Sequence, residues 1–168
     1  MYLSAGHSLN DPGAVGNGKR ETDVAVEMRN IVSHYLTQMG VAHEVDGKAT
    51  QNTPLSESVR RMRQHKVGVE FHCNAAANAA ATGCETLNAA KDNKLAAKLC
   101  AAIASTLFIR NRGVKPENAG QHHRLVFVQA GGIIVELFFI SNHLDVAAYE
   151  ARKWALGKAI AEVLAASV

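Results

Sequence analysis

Hydrophobic and polar positions along the chain follow two alternating periods, one typical of strands and one typical of helices. The apolar run from Tyr2 to Ala5 predicts a short first strand, which a glycine-rich loop follows. From Thr22 to Met39, apolar residues recur every three or four positions, and Gly40 is a suitable helix end. The sequence therefore predicts a strand, a loop and an amphipathic helix in its first quarter.

The same two patterns predict the remaining elements. Helices are expected from Thr53-Pro54 to about Lys66, over 95–107, and from Asp145 onward. Strands are expected over 41–45, 67–72, 84–88, 125–128 and 133–137. The polar, glycine-containing stretch 110–120 is predicted to be a loop.

This alternation of strands and helices predicts an α/β domain with a mostly parallel sheet covered by helices on both faces. The 168 residues match one ordinary domain, and neither a repeat nor a proline-rich linker divides them. A single domain is therefore predicted over 1–168. In such sheets, ligands gather at the C-terminal ends of the strands.

Composition narrows the possible functions. Hydrophobic residues make up 48% and charged residues 20% of the chain, which excludes a disordered protein. The net charge of +3 suits a mild attraction to an anionic polymer but does not indicate nucleic acid. Three cysteines without a CxxC pair predict reduced, buried thiols. Neither a signal peptide nor a transmembrane run is recognisable, so synthesis in the cytoplasm and no membrane insertion are expected.

The predicted elements place two histidines and a glutamate at the ligand-binding edge of the sheet. His7 follows the first strand, Glu21 lies where the loop meets the first helix, and His72 lies near the end of the strand that begins at 67. Two imidazoles and one carboxylate are a common set of catalytic zinc ligands, with the fourth position left for water. Glu136 interrupts a long apolar run, where an unpaired carboxylate is costly, and is the candidate to move protons.

Spacing alone leaves other interpretations open. The three candidate ligands are far apart along the chain and match no compact zinc motif. Glu21 is also a residue type favoured at the N-terminus of a helix, and Glu136 is also compatible with a structural ion pair. Cys73 suggests a cysteine nucleophile, although neighbours on a strand point to opposite faces. His122 and His123 are candidates for the border of the cleft.

Short sequence blocks spread over most of the chain add a more specific signal. They are AGH at 5–7, DPGA at 11–14, Glu21, FHCNA at 71–75, RGVK at 112–115 and VELFFISN at 135–142. In order and spacing, these blocks resemble the zinc-dependent N-acetylmuramoyl-L-alanine amidases of the amidase-3 family, over about residues 3–145. The resemblance implies a zinc-hydrolase fold with a six-stranded sheet, Zn²⁺ bound by His7, Glu21 and His72, and Glu136 as the catalytic acid/base.

The resemblance also implies a reaction and a substrate. Zinc-activated water would hydrolyse the amide bond between the lactyl group of N-acetylmuramic acid and the L-alanine of peptidoglycan. Peptidoglycan is then the expected partner, and a monomer without a separate cell-wall-binding domain is the expected form. We expect a phage or prophage endolysin that degrades the cell wall after release, with a wall-remodelling enzyme of the cell itself as the second possibility.

The chain departs from the family pattern at several positions. Ser8, Glu70 and Phe138 stand where glycine, serine and glycine are usual, and Asp46-Gly47 stands where an arginine is expected after the second strand. None of these changes removes a proposed ligand. The stretch between Asn74 and Gly83 is too short for the autoinhibitory helix of some members, which predicts an open site.

Two other functions remain compatible with the sequence. One is a metal-free, inactive module that binds the wall but no longer cuts it. The other is a zinc hydrolase that cuts a different bond of peptidoglycan.

Overall fold

Strands and helices alternate along the chain in the computed structural model, which describes residues 1–8, 10–119 and 125–167. The strands are β1 (Tyr2–Ala5), β2 (Val15–Gly16), β3 (Lys19–Arg20), β4 (Glu44–Val45), β5 (Gly68–Asn74), β6 (Cys84–Leu87), β7 (Asn111–Lys115) and β8 (Ile133–Phe139). The α-helices are α1 (Glu21–Gln38), α2 (Leu55–Met62), α3 (Asn93–Leu107), α4 (Val126–Gln129) and α5 (His143–Ala165).

Six of the strands form one sheet in the order β4-β1-β5-β8-β6-β7, and β2 pairs with β3 in a separate hairpin. Within the sheet, β6 pairs with β8 in the antiparallel direction, and every other pairing is parallel. The prediction of an α/β fold with a mostly parallel, six-stranded sheet is confirmed. The carboxyl ends of β1, β5 and β8 therefore lie side by side at one edge.

Side chains alternate between the two faces of the sheet and enter two separate hydrophobic cores. Leu3, Phe71 and Val135 are buried in the larger core, to which α1, α3 and α5 contribute. Tyr2 and Ile134 are buried in a smaller core with residues of α2 and α4. Helices thus cover both faces, as predicted.

The strand predicted over 125–128 is wrong, because this apolar run forms α4. A run of four apolar residues does not distinguish a buried strand from a buried helical turn. Phe127 and Val128 of this turn pack into the smaller core. The Phe127 ring lies against Gly132, where an added Cβ atom would be 2.2 Å from the ring.

The loop predicted over 110–120 is also wrong in part, because β7 lies within it at the edge of the sheet. Cys84 is paired with Asn111 and Glu85 with Gly113, so Arg112 is the extra residue of a β-bulge. Gly113 has a φ of 79°, which favours glycine. A strand at the edge of a sheet needs no continuous apolar pattern. The polar composition of β7 therefore gave no strand signal in the sequence.

The short hairpin of β2 and β3 lies within the predicted glycine-rich loop, and the remaining strands and α-helices differ from the predictions only in their ends. The structure shortens the predicted strand over 41–45 to the two residues of β4, and α2 ends at Met62 instead of about Lys66. Helix α5 begins at His143, two residues earlier than predicted, because the Asn142 side chain accepts hydrogen bonds from two amides of its first turn.

The cysteines agree with a further expectation. Cys73, Cys84 and Cys100 are free and buried, as predicted. Among the described residues, no helix is both long and apolar enough to cross a membrane.

A buried ion pair fixes the loop that follows β4, where the family arginine was found to be missing. Arg29 and Asp46 are both fully buried, and their side chains are in contact. Asp46 also accepts a hydrogen bond from the Ala5 amide at 3.1 Å. Arg29 donates to the carbonyl oxygens of Ala49 and Gln51 at 3.1 and 2.9 Å. An arginine from α1 thus ties this loop to the end of β1.

Replacing Arg29 with methionine is expected to lower the free energy of unfolding by roughly 3–5 kcal/mol. The change leaves the buried Asp46 carboxylate without a cationic partner. Urea denaturation measures the change. The matched control is Arg20→Met, which removes an exposed pair with Asp23 and should cost less than about 1 kcal/mol. Equal losses in the two variants would contradict the structural role of the buried pair.

Candidate metal centre

Three separate elements bring the predicted ligands together. His7 follows β1 in a left-handed backbone conformation with a φ of 64°. Glu21 is the first residue of α1, and His72 lies on β5, two residues before its end. One potential ligand atom from each residue lies within 4.8 Å of the other two. The structure therefore brings His7, Glu21 and His72 to the same edge of the sheet.

The carboxylate of Glu21 lies at the centre of this group. Its Oε1 atom is 2.9 Å from His72 Nδ1, and its Oε2 atom is 3.1 Å from His7 Nε2. The backbone amide of Cys73 donates to Oε1 and that of Ala14 donates to Oε2. Burial alone would raise the pKa of Glu21, but these hydrogen bonds hold the pKa well below its usual range. Glu21 is therefore ionised and fixed in orientation.

Two glycines make room for this arrangement. A Cβ atom on Gly6 would lie 2.2 Å from the His72 ring, and one on Gly13 would lie 2.6 Å from Glu21 Oε2. The same added Cβ atom on Gly13 would also lie 2.6 Å from the His7 ring. The glycines of the AGH and DPGA blocks are thus required by close packing around the candidate ligands.

The two imidazoles lie in a strongly negative environment. Hydrogen bonding to Glu21 raises the pKa of His7. Burial alone would lower the pKa of His72, but contacts with Glu21 and Glu70 raise it well above its usual value. The ring centroids are 5.1 Å apart. An arrangement of this kind favours a positive charge at the centre, whether it is a proton or a metal ion.

Glu136 lies beside the candidate ligands in the same sheet. It is the register partner of His72 on β5 and of Glu85 on β6. Only 8% of the residue is exposed, and its Oε2 atom has no hydrogen-bond partner among the described residues. Burial raises the pKa of Glu136 to about 7. The negative charges of Glu21 and Glu85 also raise this pKa, whereas His72 lowers it. Such a carboxyl group is suited to exchange protons near neutral pH.

A cavity of about 840 Å³ joins the candidate ligands to Glu136. Its far wall contains Glu85, which accepts hydrogen bonds from Asn74 at 2.6 Å and from Arg112 at 2.8 Å. The Arg112 guanidinium lies 4.9 Å from the centre of the Phe139 ring. The bulge in β7 thus directs the Arg112 guanidinium towards the cavity. This position was not predicted, because β7 was expected to be part of a loop.

A second cavity of about 620 Å³ lies on the other side of the two histidines. Asn52 lines it and donates hydrogen bonds to the carbonyl oxygens of Ala5 and His7. Asn52 thereby holds the backbone of the first candidate ligand. Asn52 was not predicted, because no local pattern connects it with His7, 45 residues away.

The remaining candidates from the sequence are placed less centrally or lie outside the described residues. Cys73 is buried in the larger core, and burial raises the pKa of its thiol well above its usual value, which opposes a role as nucleophile. The stretch 75–83, which is fully described, contains no helix. His122 and His123 lie outside the described residues.

The raised pKa of Glu136 predicts a pH dependence of stability in chelator-treated protein. Because the pKa rises from 4.5 to about 7 on folding, its contribution to stability is complete below about pH 4.5 and is lost as the pH rises through 7. The loss is on the order of 3 kcal/mol, at about 1.4 kcal/mol per pKa unit. Urea denaturation between pH 4 and 8 should therefore show a steeper decline for the wild-type protein than for Glu136→Gln. Parallel curves would contradict the raised pKa.

The donor set fits a zinc ion better than a hard cation. Two imidazole nitrogens and one carboxylate oxygen match the ligands that zinc takes in catalytic sites, whereas Mg²⁺ and Ca²⁺ prefer oxygen ligands throughout. Beside such an ion, the cavity leaves space for a substrate. Glu136, whose Oε2 atom has no hydrogen-bond partner among the described residues, lines this space.

Comparisons with known proteins show which family the chain resembles. The family model described as N-acetylmuramoyl-L-alanine amidase matches residues 1–166. A crystal structure assigned as such an amidase from Neisseria meningitidis is 44% identical, with a TM-score of 0.91 over 99% of this chain and 93% of that one. From Bacillus subtilis (strain 168), the uncharacterized protein YqiI is 29% identical over 86% of this chain and 72% of its own length. The amidase LytC of the same strain is 26% identical over 86% of this chain, which spans 30% of LytC.

Proposed function

The chain belongs to the N-acetylmuramoyl-L-alanine amidase family, and from this premise we propose that it is a zinc-dependent enzyme. It hydrolyses the amide bond between the lactyl group of N-acetylmuramic acid and the L-alanine of the peptidoglycan stem peptide. One observation carries the proposal: His7, Glu21 and His72 converge at one edge of the sheet beside Glu136, which lines the same cavity. The buried Oε2 atom of Glu136 has no hydrogen-bond partner within 1–8, 10–119 and 125–167.

The protein groups have distinct tasks in this reaction. His7 Nε2, His72 Nδ1 and a carboxylate oxygen of Glu21 would hold the zinc ion, because these atoms already face one another. When bound, zinc polarises a carbonyl oxygen and lowers the pKa of water. The amides of Cys73 and Ala14 keep the Glu21 carboxylate in place, so the protein supplies a preorganised site.

Glu136 handles the protons of the hydrolysis. Its carboxylate accepts a proton from the attacking water as the new C–O bond forms at the lactyl carbonyl. The protonated Glu136 then donates to the alanine nitrogen as the C–N bond breaks, which releases the stem-peptide amine and leaves a carboxylic acid on the lactyl group. This acid ionises, and its proton passes to the amine or to water. Burial raises the pKa of Glu136, whereas a bound cation would favour the ionised form, and these opposing influences suit a group that both accepts and returns a proton.

Digestion of purified peptidoglycan tests the proposed activity. Mass spectrometry should find free stem peptides with an N-terminal alanine and glycan strands with an intact lactyl group. A chelator should abolish these products, and added zinc should restore them. Products cut elsewhere would indicate a hydrolase for another bond, and binding to the wall without any product would indicate an inactive module.

For the cellular role, we propose degradation of the bacterial cell wall, with lysis by a phage or prophage endolysin as the first candidate. The net charge of +3 supports attraction to an anionic polymer. All four candidate site residues come from one chain, which supports a single catalytic domain over 1–168 that acts as a monomer. Added protein should clear suspensions of membrane-permeabilised cells, and sedimentation should give one protomer. Digestion of purified wall without any clearing would favour remodelling over lysis.

A further inference from the structure

His72 lies between two carboxylates, and only one of them belongs to the candidate ligand set. Its Nδ1 atom is 2.9 Å from Glu21 Oε1, and its Nε2 atom is 3.2 Å from Glu70 Oε1. His7 has a similar arrangement, with Nε2 3.1 Å from Glu21 Oε2 and Nδ1 3.0 Å from Asp11 Oδ2. In each imidazole, one nitrogen faces the shared Glu21 carboxylate and the other faces a separate acidic side chain.

Neighbouring strands hold Glu70 in a fixed position. Glu70 and His72 are two residues apart on β5, so their side chains leave the same face of the sheet. Ser4 on β1 is the register partner of Glu70, and its hydroxyl lies 2.8 Å from Glu70 Oε2, to which it donates. Ser4 also contacts the hydroxyl of Ser58 at 2.7 Å. Each oxygen of the buried Glu70 carboxylate therefore has a defined partner.

We propose that Glu70 is a positioning residue that orients His72 as an Nδ1 ligand of the metal ion. The inference rests on the metal site proposed above. A neutral imidazole has one N–H and one lone pair, and an ionised carboxylate only accepts hydrogen bonds. Glu70 therefore keeps the proton on Nε2, which leaves the Nδ1 lone pair directed towards Glu21 and the ion. The serine usual here in the family would be shorter and uncharged.

Glu70 and Asp11, the acidic side chain that contacts His7 Nδ1, differ in solvent exposure. The side chain of Glu70 is 6% exposed, whereas that of Asp11 is 67% exposed. Water weakens a contact between exposed groups far more than one between buried groups. We therefore expect metal binding to depend more strongly on Glu70 than on Asp11.

Zinc affinity, measured by competition with a chromogenic chelator, tests the proposal. Glu70→Ser is expected to weaken zinc binding 10–100-fold, as is typical when the outer partner of a ligating histidine is lost. Glu70→Gln should weaken it less, because its amide oxygen still accepts from Nε2, and Asp11→Asn should also have a smaller effect than Glu70→Ser. The matched control is Glu44→Gln, which removes a partner 2.9 Å from His65 Nε2 away from the site and should leave affinity unchanged.

A second measurement separates orientation of the ring from general stability. In ¹⁵N NMR of zinc-loaded protein, His72 should carry its proton on Nε2 as a hydrogen-bonded signal in the wild type and in Glu44→Gln. This signal should be lost by exchange in Glu70→Ser. Wild-type zinc affinity in both Glu70 variants, or a proton on Nδ1 in the zinc-loaded wild type, would overturn the inference alone. If the wild-type protein bound no zinc, the proposed metal site would be overturned together with it.

Discussion

Replacing Glu136 with glutamine should reduce kcat on purified peptidoglycan by roughly 10²–10⁴-fold, the range typical for loss of a general acid/base. Glutamine has nearly the same shape but neither accepts nor releases the proton that hydrolysis requires. The fold should be retained, because residue 136 is only 8% exposed and a neutral amide avoids the cost of burying a charge there. Rates of release of stem peptides measure the effect.

Zinc content and a surface variant complete this test. The Glu136→Gln protein should still bind one equivalent of zinc, because Glu136 is outside the proposed ligand set. Glu150→Gln removes a carboxylate from a half-buried cluster with Lys19 and Lys153, which lines none of the site cavities, and should keep the wild-type rate. Turnover of Glu136→Gln within a factor of two of the wild type would be incompatible with a catalytic role for this residue.

Replacing Glu21 with glutamine should abolish both zinc binding and activity. The change removes the only negative charge among the three proposed ligands, and the amide NH₂ group would point towards His7 or His72. Loss of an outer-shell partner already weakens metal binding 10–100-fold in typical sites, so loss of this inner ligand should exceed roughly 100-fold. Chelator competition and peptidoglycan digestion measure the two effects.

The matched control for Glu21 is Asp23→Asn in the same helical turn. Asp23 shares the N-terminus of α1, but its side chain is exposed and pairs with Arg20. If Glu21 merely interacted favourably with the helix dipole, both variants would lose a similar, small amount of stability and both would keep zinc. Retention of zinc by Glu21→Gln would therefore support that simpler role and contradict the metal site.

Much of the fold was predictable because buried elements have strong periodic signals. Helix α1 and strands β5 and β8 carry Glu21, His72 and Glu136, and β1 ends two residues before His7. All four elements follow from apolar periodicity. A carboxylate within the apolar run of β8 was also visible as an exception. The elements that build the centre of the site are thus those that the sequence identifies best.

The missed features depend on contacts that no local pattern encodes. Strand β7 is polar because it lies at an edge, so Arg112 was assigned to a loop. Asn52 and Glu70 act on His7 and His72 through hydrogen bonds that require the assembled sheet and the loop after β4. The buried pair of Arg29 with Asp46 likewise connects a helix with a loop. Such positioning groups become visible only when distant segments are brought together.

Anomalous diffraction at the zinc absorption edge, from crystals grown with one equivalent of zinc, is the most direct test of the metal centre. We expect a single strong peak about 2.0–2.2 Å from His7 Nε2, His72 Nδ1 and an oxygen of Glu21. A peak bound by other residues, or no peak at this site in crystals that contain zinc, would contradict it.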